Sequence, residues 1–398
     1  MYIILHIYCY IFIEIQENSS NRVEVNLMEN KEVDEHYMQI ALKLASRGSG
    51  FVNPNPLVGA VVVNNGEIIG AGYHKFFGGP HAEVYALKEA GEKAKGADIY
   101  VTLEPCSHYG KTPPCAKAIV KAGIKRVVIG AIDPNPLVSG KGVKILKDAN
   151  IEVVTGIMAD KVIKMNEIFI NYITNRTPFV ILKSAVSLDG KIATSAGKSK
   201  WITGEESRLK VHEIRNRVMA IMVGIGTVIA DNPLLTTRLK ENCKSPKAVI
   251  VDSKLRIPVA SKIFTTIKDR EIIVACTEDF DREKSKQLLS MGVNVLICSK
   301  DGYGRVDLKY LIRKLGEHGI DSILLEGGGS LNFSALQCQV VDKVFYFIAP
   351  KLIGGRNAKT SVEGDGFEEL NESVKVKEVT VENIGQDIMI KAYIDKQQ

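Results

Sequence analysis

The chain has 398 residues, enough for two domains that each bury a core of their own. Its 45% hydrophobic and 25% charged residues are those of an ordinary globular protein, and a net charge of +6 without basic clusters argues against nucleic acid. That charge suits a small anionic substrate.

Seven cysteines (Cys9, Cys106, Cys115, Cys243, Cys276, Cys298 and Cys338) follow no disulfide spacing, so a reducing compartment, the cytoplasm, is expected. Residues 1–15 are apolar and aromatic, but they lack a basic leader, carry His6 and Glu14, and are too short to span a bilayer. Residues 1–27 therefore read as an extension outside the fold, with an interfacial membrane anchor as the alternative.

Tyr37, Ile40, Ala41 and Leu44 recur at helical spacing until Gly48 and Gly50. Two β-type runs, 58–63 and 67–70, flank Asn65-Gly66, a hairpin signal. Helices and strands then alternate. A helix opening at His81 has Val84 and Leu87 on its apolar side and leads to a strand at 99–103. A helix opening at Cys115 after Pro113-Pro114 leads to a strand at 126–130, and a helix near Val143 to a strand at 151–154. Such alternation predicts an α/β sheet covered on both faces, with ligands at the carboxyl ends of the strands. Both Glu104-Pro105-Cys106 and Asp133-Pro134-Asn135 fall at strand ends.

The residue types there suit hydrolytic deamination. A catalytic zinc takes three protein ligands and keeps one open position, a count that His81, Cys106 and Cys115 meet. Glu83, two residues after the histidine, would carry protons and not bind the metal. Helix N-termini beside the cysteines would lower their pKa. The spacing departs from the usual P-C-x-x-C pattern, since eight residues separate Cys106 from Cys115. Two alternatives stand beside this reading: a pair of unrelated cysteines in strand-end turns, or a structural zinc with His108 as fourth ligand.

Pro105-Cys106-Ser107-His108 through Thr112-Pro113-Pro114-Cys115, with Asn53-Pro54-Asn55-Pro56 and Asp133-Pro134-Asn135-Pro136, resembles the deaminase half of the bifunctional riboflavin-biosynthesis deaminase/reductase family. The longer insert belongs to that branch. The resemblance implies a cytidine-deaminase-like three-layer α/β/α domain over 28–173 and substrate contacts at Asn55, His74, His108, Lys111, Asp133 and Asn135. Amides and carboxylates can read a pyrimidine edge, and Lys111 and the histidines can meet a phosphate. Asn55 and Asn135, beside prolines, are equally ordinary turn residues.

A linker is expected at 174–178, after a helix ending near Tyr172. Beyond it strands are read at 179–186, 220–223, 248–251, 271–275, 293–297, 322–325 and 344–348, and helices at 205–217, 282–289, 308–317 and 331–336. Two glycine-bearing strand ends, Gly224-Ile225-Gly226-Thr227 and Gly327-Gly328-Gly329-Ser330, read equally as tight turns or as phosphate-binding loops.

Ser187-Leu188-Asp189-Gly190-Lys191, Trp201-Ile202-Thr203, Ala230-Asp231-Asn232-Pro233-Leu234, Glu326-Gly327-Gly328-Gly329 and Ala349-Pro350-Lys351-Leu352-Ile353-Gly354-Gly355 resemble the reductase half of the same family. That resemblance implies a dihydrofolate-reductase-like α/β domain over 179–398 that uses NADPH. Cofactor contacts would fall on Ala185, Trp201, Thr227, Asp231, Ser253, Gly328, Gly329 and Ser330. Substrate contacts would fall on Ser199, Arg215, Leu234, Arg238 and Glu326. Arg215 and Arg238 suit a phosphate, and Trp201 reads equally as core. Lys183, a charge on an apolar strand, is a further catalytic candidate.

The expectation is therefore a bifunctional enzyme with one zinc per chain, acting on a pyrimidine ribosyl phosphate without nucleic acid or membrane, with homo-oligomerisation left open. Its rivals are a nucleic-acid base deaminase and a zinc-stabilised scaffold in which Glu83 has no role.

Overall fold

Asn65 and Gly66 both adopt positive φ, 50° and 81°, the backbone that joins two right-twisted strands in a tight hairpin. They connect β1 (Gly59–Asn64) to the antiparallel β2 (Glu67–Tyr73). The structure, a computed structural model, describes residues 30–107, 113–135, 138–239 and 243–396. The expected N-terminal extension, His108 and Lys111 lie outside the described residues.

In the first unit, helix α1 covers residues 30–46. It is followed, after the hairpin, by α2 (Ala82–Ala90), β3 (Asp98–Leu103), α3 (Cys115–Lys121), β4 (Arg126–Ala131), α4 (Lys141–Asp148), β5 (Glu152–Thr155) and α5 (Ala159–Met165). The sheet order is β2-β1-β3-β4-β5, with β3, β4 and β5 parallel. Ile99, Val101, Val127 and Ile129 are buried against Ala86, Ile119 and Leu146. Because β3, β4 and β5 run the same way, the chain after β3 and after β4 emerges at one edge, as the alternation predicts.

The buried face of α2 differs from the expected one. Ala82, Glu83, Ala86 and Ala90 are buried, whereas Val84 and Leu87 are only partly covered. The reason lies in β2, where Gly70 and Gly72 let the helix backbone rest directly on the strand. A Cβ on Gly72 would stand 2.6 Å from Tyr85 Cβ and 2.8 Å from the Ala86 nitrogen, and one on Gly70 would stand 2.8 Å from the Ala90 nitrogen. Only alanines fit the opposing face. On the far side Asp34 of α1 accepts from Arg126 at 2.9 and 2.7 Å and from the Tyr100 hydroxyl at 3.0 Å, which ties the helix to β3 and β4.

The compact units divide between Asn166 and Glu167, upstream of the expected linker. Helix α6 (Glu167–Asn175) belongs with the second unit. Ile168 enters that unit's core, Tyr172 donates to the Gly316 carbonyl at 3.1 Å, and Glu167 bonds Lys343 at 2.9 Å and Arg217 at 3.1 Å. Residues 176–178 thus join α6 to β6 (Phe179–Ser187) inside one unit.

The remaining elements are α7 (Glu205–Arg217), β7 (Ala220–Gly224), α8 (Ile225–Asp231), β8 (Lys247–Val251), β9 (Ile272–Cys276), α9 (Arg282–Ser290), β10 (Asn294–Ile297), α10 (Leu308–Glu317), β11 (Ser322–Leu325), α11 (Gly329–Gln337), β12 (Lys343–Ala349), β13 (Val376–Ile384) and β14 (Asp387–Ile394). Sheet order is β10-β9-β8-β7-β11-β6-β12-β14-β13, parallel from β10 to β12. A core lies on each face, one around Ile221, Ile250 and Phe347, the other around Met222, Leu311 and Leu324's neighbour Leu325. The β13–β14 hairpin, which turns at Gly385-Gln386, was not anticipated. Helix α8 falls on the glycine-bearing strand end that reads equally as a tight turn or a phosphate-binding loop, because seven residues are too few to show a helical period.

Replacing Gly72 by Ala should overpack the α2–β2 contact and cost roughly 1–3 kcal/mol. The expected outcome is a lower urea midpoint.

Candidate active sites

His81 stands at the N-cap of α2 in an extended conformation, Cys106 follows the end of β3, and Cys115 opens α3. Three separate elements thus deliver three ligands. His81 Nδ1 lies 3.5 Å from Cys106 Sγ and 3.3 Å from Cys115 Sγ, and all three ligand atoms fall within 4.8 Å of one another. A tetrahedral zinc with ordinary Zn–N and Zn–S bonds sets such nitrogen and sulfur atoms about 3.5 Å apart. The donor set fits zinc.

The Cys115 backbone N–H donates to Cys106 Sγ at 3.3 Å. Hydrogen bonds from the Cys115 thiol and from His81 pull the Cys106 thiol down to about 4, against burial. Cys115, as the donor to that sulfur and itself buried, is pushed up, opposite to what its helix N-terminus alone predicts. His81 is raised, chiefly by its hydrogen bond to Cys106.

Glu83 sits in the first turn of α2 and is 2% exposed. Burial pushes its carboxyl up to about 7; the His81 charge opposes this and the Cys106 sulfur adds to it. Its Oε2 has no hydrogen-bond partner among the described residues. A buried oxygen of this kind beside a metal-binding cluster is suited to receive a reactant.

Asn55 Nδ2 donates to His74 Nε2 at 3.1 Å, and His74 Nδ1 donates to the Pro80 carbonyl at 2.9 Å, a tautomer assigned from these partners. The His74 ring meets the His81 ring edge-on at 5.5 Å. Burial lowers the pKa of His74, whose ring accepts the Asn55 amide.

Glu104 accepts from the backbone N–H groups of Gly142 (2.9 Å), Gly140 (3.0 Å), Val143 (3.1 Å) and Asp133 (3.3 Å). Sequence reasoning placed Glu104 at the site without seeing this function. Its carboxylate caps α4 and fixes the Asp133 turn relative to Cys106, two residues along. Asp133 Oδ1 accepts from the Asn135 N–H at 2.9 Å, so the turn role of these residues is present.

In the second unit Glu326 follows β11. Arg215 donates to both its oxygens, at 2.7 and 2.9 Å, and Lys183 on β6 donates at 3.4 Å. Burial would raise the Glu326 carboxyl, but Arg215 and then Lys183 outweigh it and hold it near 2. Arg215 is therefore engaged by a carboxylate instead of presenting an open fork. His212, one turn earlier on α7, accepts from the Arg238 N–H at 3.3 Å. Burial, with Arg215 and Arg238 nearby, drives it down to about 4. The sequence gave no sign of His212 beyond its spacing from Arg215.

Gly224 and Gly328 are the N-caps of α8 and α11, which follow the paired strands β7 and β11. Thr227 Oγ1 would lie 3.7 Å from a Cβ on Gly328, so the two loops adjoin. Gly329 has a packing reason of its own: a Cβ there would stand 2.7 Å from the Thr360 carbonyl oxygen. Ser330 is exposed, and Ala185 on β6 is partly buried. Ser199 Oγ donates to Asp231 at 3.3 Å, while Ser253 Oγ accepts from the Val306 N–H at 3.1 Å. Trp201 is 61% exposed beneath the Arg208 guanidinium, so it is not core. Leu234 is also exposed. Asp189 accepts from Ser187, Ile353 and Gly354, which joins two of the motif segments.

Family models match both halves: residues 31–131 match the cytidine and deoxycytidylate deaminase zinc-binding region, and residues 178–390 the RibD C-terminal domain. The riboflavin biosynthesis protein RibD of Actinobacillus pleuropneumoniae is 48% identical over 357 residues, 90% of this chain and 94% of that one. The chain belongs to the RibD family. RibD of Aquifex aeolicus is 46% identical, covering 90% of this chain and 98% of its own. The solved RibD of Acinetobacter baumannii superposes with a TM-score of 0.83 at 40% identity, over 92% of this chain and all of that one (100%). A Thermotoga maritima structure described as a diaminohydroxyphosphoribosylaminopyrimidine deaminase/5-amino-6-(5-phosphoribosylamino)uracil reductase gives 0.80 at 40% identity, over 92% and 99%. This RibD-family chain is a bifunctional riboflavin-biosynthesis enzyme, with a zinc deaminase region and an NADPH-type reductase region. Among the described residues no helix is long and apolar enough to cross a membrane.

Cys115→Ala is expected to remove zinc, read by atomic absorption of the purified protein, and to end ammonia release. NADPH oxidation on supplied deaminated substrate should persist. Zinc retained at full occupancy would exclude Cys115 as a ligand.

Proposed function

We propose that the first unit deaminates 2,5-diamino-6-ribosylamino-4(3H)-pyrimidinone 5′-phosphate and that the second reduces the ribosyl group of the product to give 5-amino-6-(5-phospho-D-ribitylamino)uracil. The observation that carries this reading is Glu83: a buried carboxyl near neutral pKa, with one oxygen unpartnered, beside a His-Cys-Cys cluster.

His81, Cys106 and Cys115 would hold a zinc ion, which when bound would supply a water acidic enough to be nucleophilic at neutral pH. Glu83 takes a proton at Oε2 and returns it to the departing amine, a role that a carboxyl titrating near 7 can serve in both directions. Such proton transfer contributes roughly 10²–10⁴-fold. With Nδ2 committed to His74, Asn55 offers its Oδ1 to a pyrimidine N–H. Asp133, Asn135, His108 and Lys111 complete the substrate contacts.

In the second unit NADPH, when bound, would supply the hydride for reduction of the ring-opened sugar at C1′. Thr227, Asp231, Ser253, Trp201, Ala185 and the Gly328-Gly329-Ser330 helix start would hold it. Glu326 stays ionised and holds the Lys183 ammonium in place, from which the proton that balances the hydride can come. Ser199, Leu234 and Arg238 contact the sugar phosphate, and Arg215, committed to Glu326 and the Thr236 carbonyl, orders that side of the site. Six cysteines among the described residues are free thiols, two of them at the metal cluster, and this supports the cytoplasm as the compartment.

With the diaminopyrimidine phosphate as substrate, ammonia should appear without NADPH, and cofactor absorbance should fall only after deamination. Glu83→Gln should lower ammonia release at least about 100-fold with zinc still bound. Glu326→Gln should abolish NADPH oxidation and leave ammonia release intact. NADPH consumption before any deamination would overturn the order.

A further inference from the structure

We propose that Arg270 is a positioning residue of the reductase half: its buried guanidinium fixes the backbone from Leu234 to Arg238 against the Arg215–Glu326 pair. This rests on the reading of that pair and segment as substrate contacts.

Arg270 lies just before β9, outside every motif the sequence offered, and is 8% exposed. Its hydrogen-bond partners are three carbonyls and one hydroxyl. Nη1 donates to Leu235 at 2.6 Å and Pro246 at 2.8 Å, Nη2 donates to Leu234, and Nε donates to Thr266 Oγ1 at 3.0 Å. A buried guanidinium costs several kcal/mol unless its fork is well used. Here four of its five N–H groups are used, and burial lowers it only to about 10, so it stays charged at neutral pH.

The backbone it grips is strained. Leu235 has φ 53°, a left-handed conformation for a residue with a branched side chain. Such strain persists only where the surroundings enforce it. The conformation sends Leu235 into the core and leaves Leu234 outside. With both carbonyls on Arg270, the next residue, Thr236, turns its own carbonyl to Arg215 Nη1 at 2.9 Å, and Arg238 donates its N–H to His212. Arg215 then passes the constraint to Glu326 and Lys183. A hydrogen-bonded path thus runs from Arg270 to the reductase centre without Arg270 touching it.

The test uses the full zinc-loaded chain, with ammonia release as an internal control. Arg270→Met keeps length and loses the donors; Arg270→Lys keeps charge and some donor capacity. Arg270→Met should raise KM for the ribosylaminouracil phosphate about tenfold or more, leave KM for NADPH and ammonia release unchanged, and be partly rescued by Arg270→Lys. In a double-mutant cycle with Arg238→Ala the two effects should be less than additive. Unchanged KM in Arg270→Met, or KM for substrate and NADPH rising together with a lower Tm in both variants, would overturn the proposal. A normal KM in Arg238→Ala alone would instead remove Arg238 from the substrate contacts and leave Arg270 acting through Arg215.

Discussion

The deaminase half depends on one convergence: an imidazole nitrogen and two sulfurs, supplied by three elements, meet within the radius of a single metal ion. What allows it is the close seating of α2 on β2, where two glycines face three alanines. A larger residue on either side would lift the helix and carry His81 and Glu83 away from the cysteines. The parallel arrangement of β3 and β4 does the complementary work. It brings Cys106 and the Asp133 turn to one edge, where Glu104 binds both the turn and the start of α4.

The two halves each bury a glutamate and treat it in opposite ways. Glu83 has a thiolate and an imidazole beside it, and burial wins, so the carboxyl titrates near neutrality. Glu326 has a guanidinium on both oxygens and an ammonium nearby, and charge wins over burial. One residue type thus titrates near neutrality in the first setting and stays an anion in the second. The same comparison explains why Arg215 is not an open phosphate fork: its charge is already answered by Glu326.

Several residues set these environments through contacts that the motifs themselves do not show. His74 and Asn166 organise backbone near Asn55, with Asn166 pairing through its amide with both the N–H and the carbonyl of Leu57. Lys351 donates to the carbonyls of Trp201 and Ile202, so an exposed tryptophan is held by a lysine distant in sequence. Contacts of this kind connect residues through space, where spacing along the chain carries no signal.

By itself the sequence determined the periodic elements, the hairpin at Asn65-Gly66, the two α/β halves and the His-Cys-Cys set that the structure brings together. These features follow from local rules: apolar period, turn chemistry and the donor set a metal requires. Two features, α8 and the β13–β14 hairpin, were missed because one is too brief for a period and the other lies past the last recognised motif. Tertiary structure alone decided that α6 joins the second unit, that α2 turns its alanines inward, that His74 is buried beside Asn55, and that Glu326 is an anion gripped by Arg215. Each of those depends on which groups approach from elsewhere in the chain, and burial and charge at a site are sums over neighbours that the linear order does not record.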